Sequence, residues 1–305
     1  MELEIRNIRK SFGGKEVLHG ISFQVKSGTA LGLLGRNGAG KTTTMRIIMD
    51  VFKGDSGEIL LDGKPFEPAK QRIGYMPEER GLYPKRIVLE QMVYLARLRG
   101  LGKNEAVESA KNWLKRLEIE EYGNRKLETL SKGNQQKVQL AATLVSNPDI
   151  VILDEPFSGL DPVNSQILKD VVRDLIQEGK LVIFSSHQMS YVEEFCENVV
   201  IIHHGDVVLQ GELRQIKKEM GRKRITLVCE DSTIEETKQM AEQKFTSLVK
   251  VVGSVKDGVI LELQENRSKE EFLSALLQSG VSISQFGDYE PSLNEIFVMK
   301  AGDKE

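Results

Sequence analysis

No stretch of this 305-residue chain approaches the ~18 consecutive uncharged apolar residues that a membrane-crossing helix needs, so the chain is expected not to span a membrane by itself. Its first residues, Met1-Glu2-Leu3-Glu4, offer no basic start followed by an apolar run, and no secretory leader is expected. Cysteine is scarce. The two that occur, Cys196 and Cys229, stand far apart, which fits neither a disulfide framework nor a Cys-x-x-Cys metal pair and points to a reducing, cytosolic compartment. An excess of positive charge is missing too: the formal net charge is −3, so no broad basic face is available for a phosphate backbone and no nucleic acid is expected as a partner. What is present, 40% hydrophobic and 29% charged residues, is the balance of a globular protein with material for real cores. The length suits one large domain followed by a smaller one.

Short β-type stretches open the chain at residues 3–8, 20–25 and 57–61, separated by turn residues. Between the last two, the apolar run Ala30-Leu31-Gly32-Leu33-Leu34 enters a glycine-rich loop, and a helical stretch follows from Thr42 to about Phe52. From Ile87 to about Val145 the apolar period is helical, which predicts a helical insert. The runs Ile150-Val151-Ile152-Leu153 and Leu181-Val182-Ile183-Phe184 are apolar throughout, as a sheet covered on both faces requires. The basic cluster Lys217-Lys218 and Arg222-Lys223-Arg224 reads as a linker. Beyond it the pattern predicts strand 225–230, helix 233–245, strands 248–255 and 259–263, helix 269–278 and strand 281–286, with Asp257-Gly258 as a hairpin turn between the central strands. That β-α-β-β-α-β order is the order of a ferredoxin-like α+β fold.

The loop Gly35-Arg36-Asn37-Gly38-Ala39-Gly40-Lys41-Thr42, with Thr43 after it, matches G-x-x-x-x-G-K-[ST] between a strand and a helix. Glycines there let backbone N–H groups turn inward around phosphate oxygens, and the helix presents the positive end of its dipole to the same anion. Lys41 is expected to reach the outer phosphates of a nucleoside triphosphate and Thr42 to ligate Mg²⁺. Asp154 and Glu155 end a buried strand, at the edge where open α/β sheets bind ligands. Asp154 is expected to hold Mg²⁺, directly or through water, and Glu155 to polarise the attacking water.

The run Leu130-Ser131-Lys132-Gly133-Asn134-Gln135-Gln136 resembles the LSGGQ signature of the ATP-binding cassette (ABC) family. Asp154-Glu155-Pro156-Phe157-Ser158-Gly159-Leu160-Asp161-Pro162 resembles its Walker B motif and D-loop, and Ser185-Ser186-His187 its switch histidine. The resemblance covers about residues 1–217 and implies a P-loop NTPase core with a mainly parallel sheet, an antiparallel β subdomain and a helical insert; residues 222–305 would form a small accessory α+β domain. It implies an ATPase using ATP and Mg²⁺ on the cytoplasmic face of a cell membrane, powering separate transmembrane permease subunits and paired with a second ATP-binding subunit in a homodimer. Carried over by motif, Phe12 stacks on adenine, Ser131 and the Gly133 amide contact the γ-phosphate held by the opposite chain, Asp161 communicates across the dimer and His187 contacts the γ-phosphate.

Two positions depart from the family pattern. Glu78, after Ile73-Gly74-Tyr75-Met76-Pro77, stands where the Q-loop glutamine is usual, and its carboxylate can also ligate Mg²⁺ while adding negative charge near the phosphates. Lys132 and Asn134 replace a glycine and a glutamine of the signature. Tandem His203-His204 reads as structural. The segment Glu290-Pro291-Ser292-Leu293-Asn294-Glu295-Ile296-Phe297 resembles the closing segment of a bacterial subgroup with sodium-extruding and other efflux ATPases. The competing reading is a soluble, non-transport ABC ATPase of the assembly type. Translation-type members, with two cassettes in one chain, and DNA-maintenance members, with a long coiled coil, do not fit. A P-loop kinase or GTPase would lack the signature and the D-loop.

Overall fold

The computed structural model describes residues 1–79 and 81–302. The chain parts into two compact units, Met1–Leu213 together with the end from Phe297, and Arg214–Ile296.

In the first unit, β1 (Glu2–Phe12) and β2 (Lys15–Lys26) form a hairpin, and β3 (Ala30–Leu34) leads through the phosphate loop into α1 (Lys41–Ile48). Then come β4 (Ser56–Leu61), β5 (Lys64–Pro65) and β6 (Ile73–Met76), followed by α2 (Val88–Leu98), α3 (Lys103–Arg116) and α4 (Lys132–Leu144), which pack on one another. The unit continues with β7 (Ile150–Asp154), α5 (Pro162–Gln177), β8 (Leu181–Ser185), α6 (Met189–Phe195), β9 (Asn198–His203) and β10 (Asp206–Glu212).

Two sheets result. One is antiparallel, in the order β2-β1-β4-β5; the other runs β10-β9-β3-β8-β7-β6, parallel except for β10 at its edge. Every residue of β3, β7 and β8 is buried, the outcome that unbroken apolar runs demand of a sheet covered on both faces. Leu3, Ile5, Leu18, Ile21 and Phe23 from the antiparallel sheet share one core with Leu31, Leu33, Ile152 and Ile183 from the parallel one, and Met45, Ile47 and Ile48 carry α1 into it. Because β3, β8 and β7 are neighbours running the same way, Leu33 lies level with Ser185 and Ser185 with Asp154. The carboxyl ends of the three strands therefore meet along one sheet edge.

α1 is shorter than its pattern predicts: Met49 caps it and Asp50 takes a left-handed φ of 55°, which turns the chain out of the helix before Phe52.

The basic stretch that reads as a linker is partly helical, in α7 (Leu213–Met220), which buries Leu213 and Ile216. The second unit then runs β11 (Arg224–Cys229), α8 (Ile234–Lys244), β12 (Val249–Val255), β13 (Gly258–Leu263), α9 (Lys269–Gln278) and β14 (Ile283–Asp288), before α10 (Leu293–Ala301). Its antiparallel sheet has the order β12-β13-β11-β14, over a core of Leu227, Val259, Leu261, Phe272 and Leu276. The hairpin turn falls one residue early, on Lys256-Asp257, since Val255 pairs with Gly258. Gly258 serves a close approach instead: a Cβ there would lie 2.8 Å from the Leu227 carbonyl oxygen.

Candidate functional site

The phosphate loop is shaped by two backbone requirements. Gly38 and Gly40 take φ of 81° and 114°, a region open to glycine, and a Cβ on Gly35 would lie 2.5 Å from the Ile202 carbonyl oxygen. Gly40 occupies the cap position of α1 and brings no side-chain acceptor to its first turn. The N–H groups of that turn are the ones a bound anion satisfies. Arg36, Asn37 and Gly38 form the exposed tip, Ala39 lies buried behind it, and Thr42 and Thr43 are half-buried. Lys41 is buried along its stem and donates from Nζ to the Gly35 carbonyl at 2.7 Å.

The acid pair meets this loop. The Thr42 hydroxyl donates to Asp154 Oδ2 at 3.3 Å, and the Ser185 hydroxyl donates to Asp154 Oδ1 at 2.5 Å. Glu155 follows with a left-handed φ of 52°, a conformation costly for a residue with a Cβ and one that concentrates at functional sites. Its amide donates to the Ser185 hydroxyl at 3.3 Å. Its carboxylate, in a residue only 6% exposed, lies 2.8 Å from Nδ1 of the exposed His187. Burial pushes the Glu155 pKa up, while the hydrogen bond and charge of His187, and then Lys41, act against that rise. Lys41, Thr42, Asp154, Glu155 and His187 thus come together at the strand ends.

The remaining residues named from the sequence lie on other elements. Ser131 caps α4, its hydroxyl accepting from the Asn134 amide at 3.3 Å, and Gly133 packs against Leu160 and Asn164. Asp161 caps α5, accepting from the Val163 and Asn164 amides, each at 3.0 Å, and these bonds, Asn164 foremost, lower its pKa. Phe12 ends β1 beside the Gly13-Gly14 turn, with its ring 46% exposed. Glu78 is exposed just after β6; Glu78, Asp154 and Arg46 all act electrostatically on Tyr75, whose pKa is raised chiefly by burial.

Three side chains that matter here were not singled out by motif. Ser185 bridges Asp154 and the Glu155 amide. Gln136 donates to the Pro156 carbonyl at 3.0 Å and Gln139 to the Pro77 carbonyl at 2.7 Å, so α4 holds the segments after Glu155 and before Glu78. The available signal was two glutamines interleaved with Val138, Leu140 and Ala141 in one helix, since buried amides need partners.

Comparison with known proteins bears on the family and the fold. The ABC transporter family matches residues 18–158, and the family described as ATP-binding protein DrrA1-3-like, C-terminal domain, matches residues 211–301. The chain is 43% identical to the uncharacterized ABC transporter ATP-binding protein YhaQ of Bacillus subtilis, across 98% of each chain. It is 30% identical to the linearmycin resistance ATP-binding protein LnrL of the same organism, again across 98% of each. Among solved structures, a dimeric bacterial ABC transporter cassette superposes with a TM-score of 0.64 at 25% identity, covering 70% of this chain and 99% of the other. The chain belongs to the ATP-binding proteins of ABC transporters and is the ATPase subunit of such a machine.

Proposed function

We propose that this chain works as one half of a homodimer that hydrolyses ATP with Mg²⁺ on the cytoplasmic face of a membrane, driving efflux through separate permease subunits. The observation that carries the proposal is the convergence of Lys41, Thr42, Asp154, Glu155 and His187 at the ends of three adjacent parallel strands. Efflux draws on LnrL, a protein named for resistance, and the paired arrangement on the dimeric cassette.

The residues present fit Mg²⁺. A hydroxyl and a carboxylate 3.3 Å apart, Thr42 and Asp154, are hard oxygen donors, and Mg²⁺ is commonly held by one or two carboxylates with the substrate's phosphates. Glu78 is a further candidate ligand. When bound, the ion neutralises charge that develops on the phosphates. The chain's own groups do the rest. The loop amides and Lys41 grip the phosphates, and Glu155 accepts a hydrogen bond from the attacking water and orients it. His187, in contact with Glu155, reaches the γ-phosphate. Ser131 and the Gly133 amide engage the nucleotide of the opposite chain, and Asp161 carries the signal across the dimer.

Phe12 serves as the adenine platform. The second unit is a ferredoxin-like accessory domain, a proposal supported by strand order β12-β13-β11-β14 in an antiparallel sheet. Permease contact falls to the cavity of about 540 Å³ lined by Tyr83, Arg86, Glu90, Gln91 and Tyr94, where two aromatic side chains, Tyr83 and Tyr94, stand exposed. Among the described residues, no helix is long and apolar enough to cross a membrane.

Extraction of membranes with detergent tests the transport reading: the chain is expected to purify together with a multi-helix membrane protein, and Tyr94→Asp to break that association while ATP binding persists. Recovery of the chain without any membrane protein would favour the assembly-type ATPase.

A further inference from the structure

The tip of β1 is fastened by a cluster that the phosphate chemistry does not use. The segment after α1 folds back over it: the Asp55 amide donates to the Arg9 carbonyl at 2.8 Å, and Asp55 Oδ2 accepts from the Ser11 amide at 2.6 Å. Lys10 Nζ lies 2.8 Å from Asp55 Oδ1; the lysine side chain is only 14% exposed, while the carboxylate stands at the surface. The same ammonium stands 5.4 Å from the centre of the Phe12 ring and 5.6 Å from that of Phe52. The two rings meet edge to face, 5.3 Å apart at 89°. Phe52 also packs against the core beneath α1, which anchors the assembly. On the other side, Gly40 of the phosphate loop approaches so closely that a Cβ there would lie 2.5 Å from Leu18 Cδ2, and Leu18 pairs with Lys10. The Phe12 ring is thereby tied to the phosphate loop through β2 and to α1's exit through Phe52.

We propose that Phe52, Lys10 and Asp55 form a bracket that fixes the Phe12 ring for stacking on the base of ATP, and so act as positioning residues in nucleotide recognition. The proposal rests on Phe12 being the adenine platform. A phenylalanine at a strand tip has two free torsions, and a stack made by a wandering ring loses part of its value to ordering. Here an edge-to-face neighbour and a cation hold the ring while it stays half exposed. Asp55 holds the cation, and Lys10 keeps the Asp55 pKa low in return, the ion-pair hydrogen bond being the largest cause.

The test compares binding of ATP with binding of inorganic tripolyphosphate, which offers the phosphate loop an anion without a base, to full-length protein. Phe12→Ala is expected to weaken ATP roughly tenfold, the order of one base–aromatic stack. Phe52→Ala and Asp55→Ala are expected to weaken ATP about threefold or more, Phe52→Tyr to recover most of the loss, and tripolyphosphate to bind all variants equally. Asp55 is exposed, so its variant keeps the test alive if Phe52→Ala does not fold. If Phe12→Ala leaves ATP binding unchanged, the platform reading fails and the bracket with it. If Phe12→Ala weakens ATP while Phe52→Ala, or its replacement Phe52→Leu, and Asp55→Ala do not, the bracket alone is overturned. Equal loss of ATP and tripolyphosphate in the bracket variants also overturns it, since the segment would then only support the phosphate loop.

Discussion

At the scale of the residue, Glu155 concentrates the most information. It is buried, its backbone is left-handed, its amide is held by Ser185 and its carboxylate touches His187. A carboxylate that orients water must be ionised, and burial raises the pH at which this one gains a proton. Turnover is therefore expected to fade, as pH drops, above the ~4.3 of an ordinary glutamate. The direction follows from the charge: protonation below the raised pKa removes the acceptor, and activity is present above it. Measurement of kcat against pH checks this, an acid limb at or below the ordinary value being the contrary result. Glu155→Gln keeps the shape and removes the acceptor, so it is expected to bind ATP at near wild-type affinity while turnover falls by ~10²–10⁴. Steady-state hydrolysis by the purified complex at the wild-type rate would refute the role given to Glu155.

At the scale of the element, α4 does more than display the signature at its amino end. Gln136 and Gln139, both buried, bond the Pro156 and Pro77 carbonyls, so one helix braces the segments that carry Glu155 and Glu78. Gln139→Leu removes the partner of the half-buried Pro77 carbonyl and is expected to cost about 0.5–1.5 kcal/mol of stability, read as a lower denaturant midpoint at unchanged slope. Unchanged stability would contradict the brace. Strands and helices with strong periods were legible in the sequence: β7 and β8 as unbroken apolar runs, and β11 through β14 with α8 and α9 as alternating elements. Less legible was α7, since its charged residues mask the two buried positions Leu213 and Ile216. Motif spacing marked Lys41, Thr42, Asp154 and Glu155, because phosphate chemistry fixes residue types at fixed offsets. It could not mark Ser185 as the bridge between the acids, nor the Phe52–Lys10–Asp55 cluster, because those contacts exist only once strands far apart in sequence are brought level.

At the scale of the whole molecule, the phosphate loop and the signature that complete one ATP site belong to different copies under the proposed arrangement. Within the chain, Ser131 and Gly133 bond and pack against α4's own first turn and the segment that Asp161 opens, while Lys41 and Glu155 gather at the ends of β3 and β7. Two defects placed in different copies should then complement. A Lys41→Ala chain and a Ser131→Arg chain are each expected to be inactive as homodimers, the first for want of phosphate grip and the second for want of a signature. Mixed, they form a dimer in which one nucleotide meets an intact loop and an intact signature. The decisive measurement is the ATPase rate of a purified heterodimer of these two variants, isolated through a different tag on each chain: partial activity is predicted, and none at all in a heterodimer shown to bind ATP would contradict the shared site.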